Sequence, residues 1–266
     1  MRVLIVIPAR YASARFPGKP LAPLRGATGK EKPLVQRSWE AASAVSGINL
    51  VTVATDDDRI AEVARSFGAH VTMTSDQWLN GTERCAEAHA ICGGDFDIVV
   101  NLQGDAPLTP PWFVEALVEA LASDPEAEVA TPVLRCSGEM RQSLLADRAA
   151  GRVGGTTAVF GSGFQALYFS KEVIPFTSGT YAAEDPTPVF HHVGVYAYRP
   201  RALSNYPTWP QGPLEQLEGL EQLRFLENNR RVLCVEVLSQ GRPFWELNNP
   251  SDSSILETYL RESGLE

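Results

Sequence analysis

Leu4-Ile-Val-Ile-Pro-Ala-Arg-Tyr-Ala-Ser-Ala-Arg-Phe-Pro-Gly-Lys19 is an apolar run that breaks abruptly into a loop carrying Arg10, Arg15 and Lys19. Residues 3–7 are a short, largely β-branched run ending at Pro8, the pattern of a strand buried on both faces of a parallel sheet. Open α/β sheets bind ligands beyond the carboxyl ends of their strands, so this loop begins where a ligand would sit. Gly18 allows a tight turn, Ser13 supplies a hydroxyl, and main-chain amides from Ala9 onward can hold oxyanions. The two guanidiniums grip phosphate oxygens bidentately and Lys19 adds a point charge. The loop therefore predicts a triphosphate ligand and stabilisation of a departing pyrophosphate. The competing reading is a solvated basic loop, although no acidic residue interleaves to neutralise its cations. Neither a Walker Gly-x-x-x-x-Gly-Lys-Ser/Thr loop nor a dinucleotide Gly-x-Gly-x-x-Gly fingerprint fits the stretch.

Outward from this loop, the pattern predicts a helix over 34–45, a strand over 49–54 and a short helix over 58–67 closed by Gly68. A third strand covers 69–73, a polar loop 74–80, and a helix opens at Gly81 with Thr82 as its N-cap. The most apolar strand covers 97–102 and is followed by a helix over 111–122. Such alternation predicts an α/β fold, a doubly wound, mixed and mostly parallel Rossmann-like sheet. The second half is less regular. It reads as a strand over 129–134, a helical or irregular stretch over 138–150, and a hairpin of 156–160 with 166–170. A loop or protruding arm over 176–188 precedes a strand over 192–198, a long helix over 214–227, a strand over 231–237 and a closing helix over 250–262. The simplest organisation is a single domain over 1–266 with an arm or subdomain at about 150–190.

The chain has 266 residues, 44% of them hydrophobic and 21% charged, with a net charge of −9. An acidic protein with one basic loop suits a small anionic ligand rather than nucleic acid. Cys85, Cys92, Cys136 and Cys234 lack Cys-x-x-Cys spacing, which argues against a zinc site or a disulfide framework. With no apolar run of about 18 residues and no signal-peptide pattern, a cytoplasmic location without membrane attachment is expected.

Asp105 follows a buried strand at the ligand edge, where a carboxylate facing phosphates serves as a magnesium ligand; the alternative is an Asx turn before Pro107. Asp56, Asp57 and Asp58 fit a helix N-terminal cluster equally well, with Asp56 nearest a ligand. Thr82, Glu83, Arg84 and Gln103 are suited to a base edge or sugar hydroxyl. His191 and His192 are either structural or, with Glu221, Gln222 and Arg224, part of an acceptor pocket. Leu214, Leu217, Leu220 and Leu223 form an apolar stripe expected in the core.

Several strings carry a family resemblance. Ile-Pro-Ala-Arg-Tyr-Ala-Ser-Ala-Arg-Phe-Pro-Gly-Lys-Pro-Leu (7–21), Val-Ala-Thr-Asp (53–56), Gly-Thr-Glu-Arg (81–84) and Asn-Leu-Gln-Gly-Asp-Ala-Pro (101–107) closely resemble the 3-deoxy-manno-octulosonate (Kdo) cytidylyltransferases, the CMP-Kdo synthetases. So do Ala-Leu-Tyr-Phe-Ser (166–170), His-Val-Gly-Val-Tyr-Ala-Tyr-Arg (192–199) and Pro-Leu-Glu-Gln-Leu-Glu-Gly-Leu-Glu-Gln-Leu-Arg (213–224), in order across nearly the whole chain. The resemblance implies a nucleotidyltransferase-type fold, CTP as donor, magnesium, and a homodimer formed partly by the arm. It implies that Arg10, Ser13, Arg15 and Lys19 form the triphosphate loop, that Asp105 holds the metal, and that Gln103, His192, Tyr196 and Glu221 face the acceptor.

The departures concern the acceptor and the metal. Asn248 stands where the family has an aspartate metal ligand, and Thr156-Thr157-Ala158-Val159 replaces a segment containing a lysine. Lys171 and residues 174–178 replace an arginine and an Ile-Pro-Trp-x-Arg run, and Ala106 replaces a glutamate. Arg152, Lys171 or His191 would then supply the missing cations. The expected activity is transfer of CMP to a small acid, with the octulosonate first and a phosphonate such as phosphonoformate as the alternative. A non-catalytic nucleotide-binding protein and a sugar-1-phosphate nucleotidyltransferase are the remaining readings.

Overall fold

The computed structural model describes residues 1–12, 16–242, 245–247 and 249–266, so Ser13, Arg15 and Asn248 lie outside the described residues. Two compact units make up the chain: residues 1–115, 199–204 and 239–266 form the first, and 116–198 and 205–238 the second.

The first unit begins with β1 (Val3–Pro8), then a short ribbon of β2 (Pro23–Arg25) and β3 (Glu31–Pro33), and α1 (Leu34–Ser43). It continues through β4 (Leu50–Thr55), α2 (Asp58–Ser66), β5 (His70–Met73), α3 (Gly81–Cys92), β6 (Ile98–Leu102) and the start of α4 (Pro111–Ser123). The strands lie parallel in the order β5-β4-β1-β6. Val3 to Ile7 are all buried because β1 is central, flanked by β4 and β6 with Ile5 opposite Val51 on one side and Val100 on the other. The carboxyl ends of β1, β4 and β6 thus share one edge, from which the loops after Pro8, Thr55 and Leu102 emerge.

Two of these loops meet at backbone distance. A Cβ built on Gly104 would lie 2.6 Å from the Pro8 carbonyl oxygen, so only glycine lets the β6 loop pass the end of β1. Gly104→Ala is expected to destabilise the protein by about 1–3 kcal/mol, as for an overpacked core, because both partners are backbone and one must move. A thermal melt coinciding with that of the parent protein would show that the two loops are not so tightly apposed.

The second unit contains β7 (Val129–Ser137), α5 (Gly138–Ala149), β8 (Thr156–Phe160), β9 (Ala166–Ser170), β10 (Pro186–His192) and β11 (Val195–Tyr198). After α6 (Pro200–Asn205), which apart from Asn205 belongs to the first unit, follow α7 (Pro213–Glu218), α8 (Leu223–Glu227) and β12 (Val232–Glu236); α9 (Asp252–Glu262) also belongs to the first unit. The long strand β7 pairs antiparallel with β10 and β11 and parallel with β12, while β8 joins β10 to β9. The sheet is therefore mixed, parallel in the first unit and largely antiparallel in the second.

Three local expectations are corrected. The helix over 214–227 is two short helices, because Gly219 adopts φ +62 and ends α7. Its leucine stripe is accordingly split: Leu223 is fully buried, but Leu217 is 84% exposed. The strand over 192–198 is likewise two strands, and β10 begins at Pro186 inside the stretch expected to be an arm, so His192 closes one strand instead of opening the next. Thr82 is not the cap of α3; the Asn80 side chain accepts from the Glu83 N–H at 2.9 Å. Among the described residues, no helix is long and apolar enough to cross a membrane.

Candidate active site

A cleft of about 300 Å³ lies in the first unit, over the ends of β1 and β6, beside the start of α3. Gly18, with φ +71, turns the chain so that Lys19 enters a short 3-10 turn facing it. Its ammonium donates to the Asp105 carboxylate at 2.5 Å, with 15% and 24% of the two side chains exposed. Eighty-six positions separate this pair, and it is the register of β1 against β6 that joins them.

Around the pair the loops are braced. Arg10 is exposed and donates to the Leu79 carbonyl at 3.3 Å. Arg84 is 3% exposed; it pairs with Asp56 at 3.1 Å and donates to Thr74 Oγ1 at 2.5 Å. Burial lowers the pKa of its guanidinium, and Asp56 opposes that shift. Asp56 is thus engaged internally, and Asp57 caps α2 by accepting from the Arg59 N–H, as the helix-start reading predicted. Gln103 lines the cleft against Gly81, where a Cβ would meet the Gln103 amide at 3.1 Å. Ala9 also lines it, but its N–H donates to the Ala54 carbonyl. Thr82 is buried on α3 and is not among the lining residues.

Among the described residues there is no cluster of three or more His, Cys, Asp or Glu side chains fit to hold a metal. Asp105 alone nevertheless suits magnesium, which typically takes one or two carboxylates and completes its shell with phosphates and water. Leu247 donates its N–H to the Asp105 carbonyl at 2.9 Å, so the chain immediately before Asn248 is tied to this loop.

His192, Tyr196 and Glu221 belong to the second unit. His192 Nε2 lies 2.9 Å from Thr131 Oγ1, its ring is 5.6 Å from that of Tyr196, and the Tyr196 hydroxyl donates to Gln222 at 3.1 Å. The Glu221 carbonyl accepts from the Tyr206 hydroxyl. His192 and Tyr196 are therefore joined in one aromatic and amide network that ends at Gln222, the chain neighbour of Glu221. Arg224, expected in an acceptor pocket, instead forms a buried bidentate pair with Glu215 at 2.6 and 2.7 Å beneath the Tyr206 ring. Arg152 is engaged by Asp147 at 2.6 Å.

Burial pushes His192 down to about 3. An unfolded histidine titrates near 6.5, so below that pH the unfolded chain binds a proton the folded chain refuses. The contribution is fully present above pH 6.5 and is lost as pH falls toward 3. Between pH 7 and pH 5 this amounts to about 2 kcal/mol. Urea midpoints at the two pH values are expected to fall less in His192→Asn than in the parent; equal falls would mean that the ring protonates in place.

Sequence reasoning missed Trp78 in the cleft wall and Glu215 in the buried pair. Nothing local flags either, although Asn80 three residues before Glu83 carried a capping signal.

A parallel sheet whose strand ends carry a cation-lined cleft with a lone carboxylate defines an α/β nucleotide-handling protein of nucleotidyltransferase type. The family model described as Cytidylyltransferase matches residues 4–232. The chain is 41% identical over 264 residues to 3-deoxy-manno-octulosonate cytidylyltransferase of Maricaulis maris, covering 99% of each chain. It is 42% identical over 254 residues to 8-amino-3,8-dideoxy-manno-octulosonate cytidylyltransferase of Shewanella frigidimarina, covering 95% of this chain and 96% of the relative. The structure of CMP:2-keto-3-deoxy-manno-octonic acid synthetase complexed with CTP superposes with a TM-score of 0.82 at 33% identity, covering 99% and 100% of the two chains. The chain belongs to the cytidylyltransferase family, and it is an enzyme of that class.

Proposed function

We propose that this enzyme transfers CMP from CTP to a 3-deoxy-octulosonate-type sugar acid and releases pyrophosphate. The observation that carries the proposal is the Lys19–Asp105 pair in the cleft at the carboxyl edge of the parallel strands. An acceptor oxygen attacks the α-phosphorus in line as the bond to the bridging oxygen breaks, and the electron pair leaves on pyrophosphate. Arg10, Arg15 and Lys19 offset the charge on that leaving group, with Ser13 as a further donor. Asp105 would hold magnesium, with Asn248 as a neutral second contact, and the ion would supply charge neutralisation on the phosphates. Ala9, Arg84 and Gln103 shape the nucleotide side and Thr82 supports it through α3; the acceptor residues that the family resemblance implies are Gln103 in the first unit and His192, Tyr196 and Glu221 in the second.

The relatives' names divide between the octulosonate and its 8-amino form, so both belong in the test with phosphonoformate. Pyrophosphate release from CTP and magnesium is expected with at least one of the two sugar acids. Release with phosphonoformate alone would overturn the acceptor. CTP binding without release under any condition would overturn the enzyme reading. A homodimer and a cytoplasmic location complete the proposal; elution at the mass of one 29.0 kDa chain would contradict the former.

A further inference from the structure

Trp78 sits on the loop between β5 and α3, which side chains of α3 tie down at several points. Glu87 on α3 accepts from the Ser75 N–H at 2.7 Å and from the Trp78 indole N–H at 2.5 Å. Glu83 accepts from the Leu79 N–H at 2.8 Å, and Arg84 donates to the Ser75 carbonyl at 3.3 Å. The one polar atom of the indole is thereby engaged, leaving the ring itself to line the cleft. Among the described lining residues the charges lie on Arg10, Lys19, Asp105 and Arg84, and Arg84 is paired with Asp56 at 3.1 Å, whereas Asn80 and Gly81 at the start of α3 are uncharged. A triphosphate belongs with the cations, and an uncharged aromatic heterocycle belongs with the indole and the amides.

We infer that Trp78 is the wall against which the cytosine ring of CTP packs, and that Glu87 is the positioning residue holding the indole in place. The inference rests on CTP being the donor. An aromatic platform adds affinity without reading the base edge, because every base presents a π face. Trp78→Ala is therefore expected to raise KM for CTP roughly ten- to hundredfold while kcat at saturation stays within about threefold. Trp78→Phe keeps a ring and should hold KM within about threefold. Glu87→Gln, which loses the charged acceptor, should raise KM by a smaller factor with kcat unchanged.

Fluorescence supplies a readout independent of turnover. CTP should quench the parent protein's emission, inorganic tripolyphosphate should not, and the quench should vanish in Trp78→Phe. Unchanged KM in Trp78→Ala, or a quench that survives in Trp78→Phe, would overturn the inference. A KM rise accompanied by an equal loss of kcat and a lowered melting temperature would also overturn it, in favour of a structural role. If the CTP quench of the parent vanishes in Trp78→Phe yet CMP is transferred to no acceptor, the proposed activity fails and the inference stands for CTP binding. If CTP neither quenches nor is turned over, both fail.

Discussion

Asp105→Asn is expected to reduce pyrophosphate release by about a thousandfold or more, on the scale of losing a principal electrostatic group in phosphoryl transfer. The substitution is nearly isosteric and its side chain is only 24% exposed, so packing is preserved while a charge is removed. Two functions disappear together: the carboxylate that orients the Lys19 ammonium at 2.5 Å, and the anionic oxygen proposed to hold magnesium, in whose place the amide leaves only a weaker neutral donor. Far-ultraviolet circular dichroism and the melting temperature should match those of the parent, so that the loss is chemical. Near-parental turnover would show that the metal is held elsewhere and that the pair serves only to close the loop.

The largest stability effect is expected at the other charged pair. Glu215 and Arg224 are 3% and 1% exposed, and each is the other's charged partner. Arg224→Met leaves a carboxylate in the interior, with the Gln211 amide, at 3.2 Å, as its neutral side-chain donor among the described residues. Removing one member of such a buried pair costs about 3–5 kcal/mol, which corresponds to a fall of roughly 10 °C in melting temperature for a chain of this size. Arg224→Met combined with Glu215→Leu should recover most of that loss, since both desolvated charges are then gone. Additive losses in the double variant would show that the two residues stabilise the unit separately.

The same two pairs mark how far the sequence was legible. Lys19 and Asp105 each announced themselves, one by its place in a cationic loop and the other by following the most apolar strand. Their pairing was not announced, because it depends on parallel register between strands that are distant in the chain. Arg224 was noticed as a cation, but its burial against Glu215 requires α7 to stop at Gly219, and the leucine spacing across that glycine gave the opposite signal. The arginine on the first turn of α3 reads in the sequence as suited to a base edge or sugar hydroxyl; Arg84 lines the cleft, and what the sequence did not show is that Asp56 and Thr74 brace it there. Trp78 had no periodicity to mark it, since it lies in a loop whose shape is set by the carboxylates of a neighbouring helix.

By itself the sequence determined the parallel β/α order of the first unit, the basic loop at its ligand edge and the cytidylyltransferase family, because strand and helix periods and short motifs are local properties of the chain. Only the tertiary structure decided which cations face the cleft and which are consumed as braces, where the second-half strands divide, and which aromatic side chain walls the site. Those outcomes depend on burial and on partners brought together across many residues, and no local pattern encodes them.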